Sequence, residues 1–149
     1  MNLSWSLFTN GFLLVVLYFL FFSDSGAKIV TLDVYKAKNL IQSDHVYLDV
    51  RRVEDFRKGH VDTDKIVNIP YLLDTPSGKV KNPEFVKQVS CACDKEDHII
   101  VGCDCGVKSL YATADLQANG FKDVKNMEGG YRDWVRNRFP VKPLAVTSE

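Results

Sequence analysis

The sequence lacks an excess of charge of either sign, because nineteen lysine and arginine residues balance nineteen aspartate and glutamate residues. A chain without a large uniform field is not expected to gather nucleic acid or to be held on an anionic surface by charge alone. The sequence also lacks internal repeats and low-complexity tracts, and its 149 residues leave room for one compact domain. We therefore expect partners that are recognised locally, and no nucleic acid.

Charged residues are missing altogether from residues 1–23, which sets this stretch apart from the rest of the chain. Residues 11–22, GFLLVVLYFLFF, are almost entirely apolar. As a helix, residues 3–22 would be about 30 Å long, which is just enough to span a bilayer. We interpret residues 1–27 as an N-terminal hydrophobic helix, a signal-anchor or targeting segment that places the protein at a membrane.

The charges that flank this segment predict its orientation. No lysine or arginine precedes the apolar run, whereas Lys28, Lys36 and Lys38 follow it. By the positive-inside rule, the folded domain would face the cytosol. Other interpretations stay open: a secretory signal cleaved after the small residues 25–27, SGA, a short interfacial segment, or a plastid or mitochondrial address, although the segment lacks the arginines usual in transit peptides.

Beyond residue 28 the chain alternates short strand patterns with helical ones, up to about residue 140. The predicted strands are KIVTL, VYLDV, KIVNIP, HIIVG and FKDVKNM. Helices are expected after Asp33, over RRVEDFRKGHV up to Gly59, after Asn82, from Ser109 to Gly120, and over YRDWVRNRF. The pattern predicts an α/β domain over residues 28–140, with a five-stranded, mostly parallel sheet and helices on both faces. Residues 71–83 are interpreted as a loop and residues 141–149 as a flexible tail.

A cysteine follows the most apolar of these strands. Cys103 stands at the carboxyl end of HIIVG, the edge of a parallel sheet where ligands bind. Unpaired backbone N–H groups and the positive end of the next helix would favour its thiolate. Gly106 would let the loop turn closely, and Lys108 adds a positive charge suited to an anionic substrate. The pattern indicates a reactive thiol in an anion-binding loop.

Five motifs in order resemble a known family: YLDVR, EDFRKGHV, NIPY, IIVGCDCGVKS and NMEGGYRDW. Together they are similar to single-domain rhodanese-like sulfurtransferases of the plant, senescence-associated type, over residues 28 to about 140. The resemblance implies the rhodanese α/β fold and a six-residue active loop of pattern CxxGxR between a strand and a helix. Matched position by position, that loop consists of Cys103, Asp104, Cys105, Gly106, Val107 and Lys108.

The resemblance also implies a reaction. The Cys103 thiolate would take the outer sulfur of a small anionic donor such as thiosulfate, and cyanide or a thiol would accept that sulfur from the persulfide. Backbone N–H groups of residues 104–108 would bind the anionic sulfur, and Lys108 would orient the donor. The family's reaction requires no metal and no organic cofactor.

Two positions depart from the family pattern. Lys108 replaces the usual arginine, so the positive charge stays but the guanidinium, which can donate two hydrogen bonds to one oxyanion, is lost. We expect this loss to weaken donor binding or the stabilisation of the transition state by on the order of 1–3 kcal/mol. Cys105 stands where relatives have serine or another small residue. Its thiol either resolves an oxidised Cys103 or is a passive replacement, and we favour the passive interpretation because two cysteines one residue apart close a strained ring.

Two other functions would use the same loop. Arsenate reduction is the enzymatic alternative, because a low-pKa cysteine in an oxyanion loop can attack arsenate. Only four residues separate Cys103 from Lys108, however, a smaller cradle than the five-residue spacing of phosphatase-like relatives. The second alternative is a non-catalytic module that binds a partner or senses redox state.

The four cysteines form two CxC pairs, which leaves two structural alternatives. Zinc sites usually have CxxC spacing, so a metal site made by Cys91, Cys93, Cys103 and Cys105 is disfavoured. If the domain were exported, the same residues would allow two disulfides. We expect Cys91 and Cys93 to be structural or incidental.

The remaining motif residues are interpreted as structural. Asp49 beside Arg51 would satisfy buried loop N–H groups, and His60 is expected to be a hydrogen-bonded histidine rather than a base. Gly129 and Gly130 would permit a backbone turn next to the active loop. Two aromatic residues are expected in the core or at the rim: Tyr131 and Trp134.

Overall fold

A computed structural model describes residues 28–143 as an α/β fold. The elements follow one another as β1 (Val30–Leu32), α1 (Val34–Gln42), β2 (Val46–Asp49), α2 (Val53–Lys58), β3 (His60–Val61), β4 (Ile66–Asn68), β5 (Leu72–Thr75), β6 (Gly78–Lys81), α3 (Phe85–Ala92), β7 (His98–Gly102), α4 (Val107–Ala118), β8 (Asp123–Met127), α5 (Gly130–Arg136) and β9 (Val141–Lys142). Two short antiparallel pairs, β3 with β9 and β5 with β6, accompany the main sheet.

The main sheet has five strands in the order β1-β8-β7-β2-β4, and every neighbouring pair in it is parallel. This confirms the predicted five-stranded sheet. The strand β7 lies in the middle, and its Ile99, Ile100 and Val101 side chains are fully buried. Continuous burial is expected of a central parallel strand because helices cover both of its faces.

The two faces carry separate hydrophobic clusters, so the predicted helices on both faces are confirmed. Alternate residues of β7 belong to different clusters, since successive side chains of a strand point to opposite faces. Ile99 packs with Phe85 of α3 and Leu116 of α4. Ile100 packs with Ala37 of α1 and Trp134 of α5.

Local signals set several helix ends as predicted. The Asp33 carboxylate accepts a hydrogen bond from the backbone N–H of Lys36, which caps the start of α1. Gly59 ends α2. The helix α4 begins at Val107 rather than at the predicted Ser109.

The interpretation of residues 71–83 as a loop is wrong. The strands β5 and β6 form an antiparallel hairpin in which Thr75 pairs with Gly78 across the turn Pro76-Ser77. The Thr75 hydroxyl donates a 2.6 Å hydrogen bond to the Gly78 carbonyl and closes this turn. Most of the hairpin is exposed or half-buried, so its sequence lacks the apolar alternation of a half-buried strand.

The sequence predicts a transmembrane helix and, from it, a membrane partner and a membrane location. These predictions need correction. Within residues 28–143, no helix is both long enough and apolar enough to cross a bilayer, so the interpretation as a membrane protein is wrong for this part of the chain. The hydrophobic residues 1–27 that motivated it lie outside the described residues. Of the predicted tail, the structure describes only residues 141–143, and the first two of these form β9.

Candidate active site

The Cys103 thiol lies where the sequence predicts it, directly after β7 and before α4, at the carboxyl edge of the sheet. Its side chain is fully buried. The sulfur accepts two hydrogen bonds, one from the backbone N–H of Gly106 at 3.1 Å and one from the Ser109 hydroxyl at 3.4 Å. Both donors are directed at the sulfur, where they would stabilise negative charge that develops during a reaction.

Glycine is required at two points around this loop. Gly106 has φ of +90°, and a Cβ there would lie 3.0 Å from the backbone nitrogen of Gly129. Gly130 has φ of +59°, and a Cβ there would overlap the carbonyl oxygen of Cys103. The loop and the Gly129-Gly130 turn therefore approach each other backbone to backbone, as the sequence analysis expects of these glycines.

The first turn of α5 holds the loop through its backbone. The N–H of Tyr131 donates to the Cys103 carbonyl at 2.8 Å, and the N–H of Arg132 donates to the Asp104 carbonyl at 3.0 Å. The Arg132 guanidinium also pairs with the Asp104 carboxylate at 2.6 Å, although both side chains are largely exposed. These two loop carbonyls are thus bonded to α5, whereas the N–H of Gly106 is directed at the sulfur.

A buried ion pair supports the loop from the neighbouring strand. Asp49 ends β2 and lies opposite Gly102 in the strand register. Its carboxylate accepts hydrogen bonds from Nε of Arg51 at 3.0 Å and from the guanidinium Nη2 at 2.6 Å. That guanidinium also donates to the Gly59 carbonyl and lies 3.9 Å from the ring centre of Tyr131. The pair connects β2 to α5 and has the structural role predicted for it.

Lys108 lies half-buried in the first turn of α4. It lines a cleft that also contains two further cationic side chains, Arg52 and Lys79, and one carboxylate, Asp74. The Arg52 guanidinium pairs with Asp74 at 3.1 Å. Among the described residues, Lys108 and Lys79 form no ion pair, so no carboxylate neutralises either charge.

The other cysteines differ sharply in environment, and all four are free thiols in the structure, so the two-disulfide alternative is wrong. Cys105 and Cys91 are exposed. Cys93 is buried, and burial, with help from Asp97 and Asp94, raises the pKa of its thiol to about 11. Within the described part of the chain, the two CxC pairs do not converge on a common metal position.

Sequence reasoning missed Ser109, which it treated only as the start of a helix. This fully buried residue lies six positions after Cys103, on the face of α4 that is turned to it. A hydroxyl in the first turn of the helix that follows the loop is the signal that would have found it. The other expected structural residues lie as predicted: His60 is buried with its ring stacked on Phe56 at 4.2 Å, and Trp134 is in the core.

Comparison with known proteins settles the family. A model of the rhodanese-like domain matches residues 33–137, most of the chain. The chain belongs to the rhodanese-like domain family. The resemblance of the five sequence motifs to this family is therefore confirmed, and so is the predicted rhodanese fold.

Two relatives of this rhodanese-like domain come from Arabidopsis thaliana. Thiosulfate sulfurtransferase 18 is 51% identical over 119 residues, which cover 80% of this chain and 88% of that protein. Protein HIGH ARSENIC CONTENT 1, mitochondrial, is 45% identical over 107 residues, which cover 72% of this chain and 62% of that protein. Other relatives from the same plant are described as chloroplastic.

A solved structure shows the same fold at low sequence identity. The polysulfide-sulfur transferase homodimer of Wolinella succinogenes superimposes with a TM-score of 0.62 at 19% identity. The alignment covers 91% of this chain and 93% of that one. This likeness supports the same fold for the described residues.

Proposed function

We propose that this rhodanese-like domain is a sulfurtransferase that moves a sulfane sulfur from a thiosulfate-type donor through a persulfide on Cys103. The observation that carries the proposal is the buried Cys103 sulfur, which receives hydrogen bonds from Gly106 and Ser109 at the carboxyl edge of the sheet. The 51% identity with thiosulfate sulfurtransferase 18 supports the same chemistry.

In the first half of the reaction, the Cys103 thiolate attacks the outer sulfur of thiosulfate. A bond forms between Sγ and the outer sulfur, and the bond between the two donor sulfurs breaks. Its electron pair leaves with the sulfite. Cys103 then carries a persulfide whose terminal sulfur is negatively charged.

In the second half, cyanide attacks the terminal sulfur of the persulfide. A carbon–sulfur bond forms, the bond between the two sulfurs breaks, and thiocyanate leaves while Cys103 returns to its thiolate. A thiol acceptor would take the sulfur in the same way and become a persulfide itself. The cycle needs no external oxidant or reductant, because each sulfur–sulfur bond that breaks is replaced by a new bond to sulfur.

Different loop residues would bind different parts of the sulfur donor. The Gly106 N–H donates to the Cys103 sulfur, and the backbone of Asp104, Cys105 and Val107 would complete a cradle for the sulfur that Cys103 carries. Preorganised N–H donors stabilise an anion without reorganisation at the moment of reaction. Lys108 supplies positive charge that attracts the donor's sulfonate group.

The test is to incubate the full chain with thiosulfate and cyanide and to measure thiocyanate. Thiosulfate alone should add the mass of one sulfur atom to the peptide that contains Cys103, and cyanide should remove it. Persulfide formation without turnover would restrict the proposal to the first half-reaction. Absence of both would overturn it and, if arsenate-dependent thiol oxidation were also absent, would leave a non-catalytic binding or redox-sensing module.

A second candidate is arsenate reduction, favoured by the 45% identity with Protein HIGH ARSENIC CONTENT 1. Here Cys103 would attack arsenate, and an added thiol such as glutathione would supply the electrons that reduce it to arsenite. Arsenate-dependent oxidation of glutathione, measured beside the thiocyanate assay, distinguishes the two. The mitochondrial and chloroplastic relatives also support a location in one of these organelles, which a fluorescent fusion at the C-terminus of the full chain would show.

The variant Lys108→Arg is expected to raise kcat/KM for thiosulfate about five- to a hundredfold, because a guanidinium can bind two oxygens of the sulfonate where an ammonium binds one. The measurement is thiocyanate formation at limiting thiosulfate. Lys79→Arg is the matched control, since it makes the same change at the other unpaired lysine of the cleft. An unchanged rate for Lys108→Arg would contradict the role given to Lys108.

A further inference from the structure

Three metal-binding side chains meet at the amino edge of the sheet, on the side opposite to Cys103. His98 is the first residue of β7 and pairs in register with Asp123, the first residue of β8. His45 comes one position before β2, whose Val46 pairs with Ile99. Residues paired in parallel strands point to the same face of the sheet, so the three side chains form one row.

The distances within this row suit a single ion. One ligand atom from each of His45, His98 and Asp123 lies within 4.8 Å of the other two. The tightest pair is Nδ1 of His98 with Oδ2 of Asp123, at 2.5 Å. Ligands that surround a zinc ion tetrahedrally, each about 2.0–2.1 Å away, lie roughly 3.3 Å from one another. The 4.8 Å bound admits this spacing, and the His98–Asp123 pair would have to separate slightly to take up an ion.

One of the three side chains has a buried ring nitrogen that lacks a hydrogen-bond partner among the described residues. This atom is Nδ1 of His45. A buried polar atom without a hydrogen-bond partner destabilises the folded state. A bound metal ion, or a water molecule on that ion, would give this nitrogen a partner.

We propose that His45, His98 and Asp123 form a binding site for a divalent transition-metal ion of the zinc type. Two imidazoles and one carboxylate are ligands that Zn²⁺ accepts, and a water molecule would fill the fourth position on the exposed side of His98. Only residues 99–102 lie between His98 and Cys103, and this length of strand keeps the two about 16 Å apart. The ion would therefore take no part in sulfur transfer.

One neighbour opposes the ion. The Lys125 ammonium pairs with Oδ1 of Asp123, while Oδ2 is the oxygen that faces His98. The carboxylate can thus bind the metal without releasing Lys125, but the positive charge of Lys125 repels a cation. We expect an affinity weaker than that of a closed structural zinc site. The ion would pin the amino ends of β2, β7 and β8 together and stabilise the fold by mass action.

The test uses the only three histidines of the chain as reporters. The full chain, carrying Cys91→Ser and Cys105→Ser so that exposed thiols do not compete, is titrated with Zn²⁺ while the imidazole nitrogens are followed by NMR. We expect the signals of His45 and His98 to shift together and to saturate with one ion. His60, buried against Phe56, should not move.

Two variants decide whether the three residues act as one site. His98→Gln and Asp123→Asn should each lower the zinc affinity read at His45 by at least about tenfold, since even partners outside the metal shell account for 10- to 100-fold. Glu54→Gln, which removes an exposed carboxylate from α2, is the matched control and should have no effect. Both ligand residues lie at strand ends, and an unchanged His60 signal confirms folding. Unshifted histidines, or an affinity unaltered in Asp123→Asn, would overturn the proposal.

Discussion

The variant Cys103→Ser is expected to lower thiocyanate formation by the full chain at least about a thousandfold, to the level of the uncatalysed reaction. A serine hydroxyl is a weak nucleophile at neutral pH and cannot store a sulfane sulfur as a persulfide. Because both half-reactions pass through the same sulfur, the loss cannot be recovered at high donor concentration. The effect should therefore appear in kcat as well as in kcat/KM.

The matched control for this prediction is Cys105→Ser, two residues away in the same loop. Cys105 is exposed, whereas Cys103 is buried and hydrogen-bonded, so the same chemical change is made in two environments. Cys105→Ser should keep at least about half of the activity if this thiol is passive. A Cys103→Ser protein that still forms a persulfide would show that another cysteine carries the sulfur, and would contradict the mechanism.

Local sequence signals were sufficient for the central sheet. The run HIIVG has neighbouring apolar residues because its strand is covered on both faces. This pattern alone predicts that β7 is a central strand. Asp33 and Gly59 fixed helix ends through short-range bonds that depend on few neighbours. The position of Cys103 followed from the strand end alone.

Contacts between distant segments could not be predicted in this way. The hairpin of β5 and β6 depends on backbone pairing, and its polar, exposed residues carry no periodic signal. The loop is held by N–H groups of Tyr131 and Arg132, about thirty residues later in the chain. Backbone donors have no signature in the sequence, since every residue except proline has one.

The cluster of His45, His98 and Asp123 shows the same limit. These residues lie far apart in sequence, and none belongs to a motif with metal-ligand spacing. They meet because β2, β7 and β8 are neighbours in register, which depends on the strand order of the whole sheet. In the sequence, the two cysteine pairs are the residues that suggest a metal site, whereas the structure brings together two histidines and a carboxylate.

The variant Asp49→Asn is expected to lower the free energy of unfolding by about 3–5 kcal/mol, the cost of leaving a buried charge without its partner. The Arg51 guanidinium is 6% exposed and the Asp49 carboxylate is fully buried, so water cannot replace the lost bond. Guanidinium chloride unfolding of the full chain, followed by circular dichroism, measures the change.

The chain contains its own control in a second Asp–Arg pair close by, between Asp55 and Arg52. These side chains are 34% and 42% exposed, and Asp55→Asn should cost no more than about 1 kcal/mol because solvent screens the pair. Adding Arg51→Met to Asp49→Asn should recover part of the stability, since the unpaired charge is then removed as well. Equal losses for Asp49→Asn and Asp55→Asn would contradict the role of burial. Because Arg51 packs on Tyr131, whose N–H binds the Cys103 carbonyl, the destabilised variant should also lose sulfur transfer below its unfolding transition.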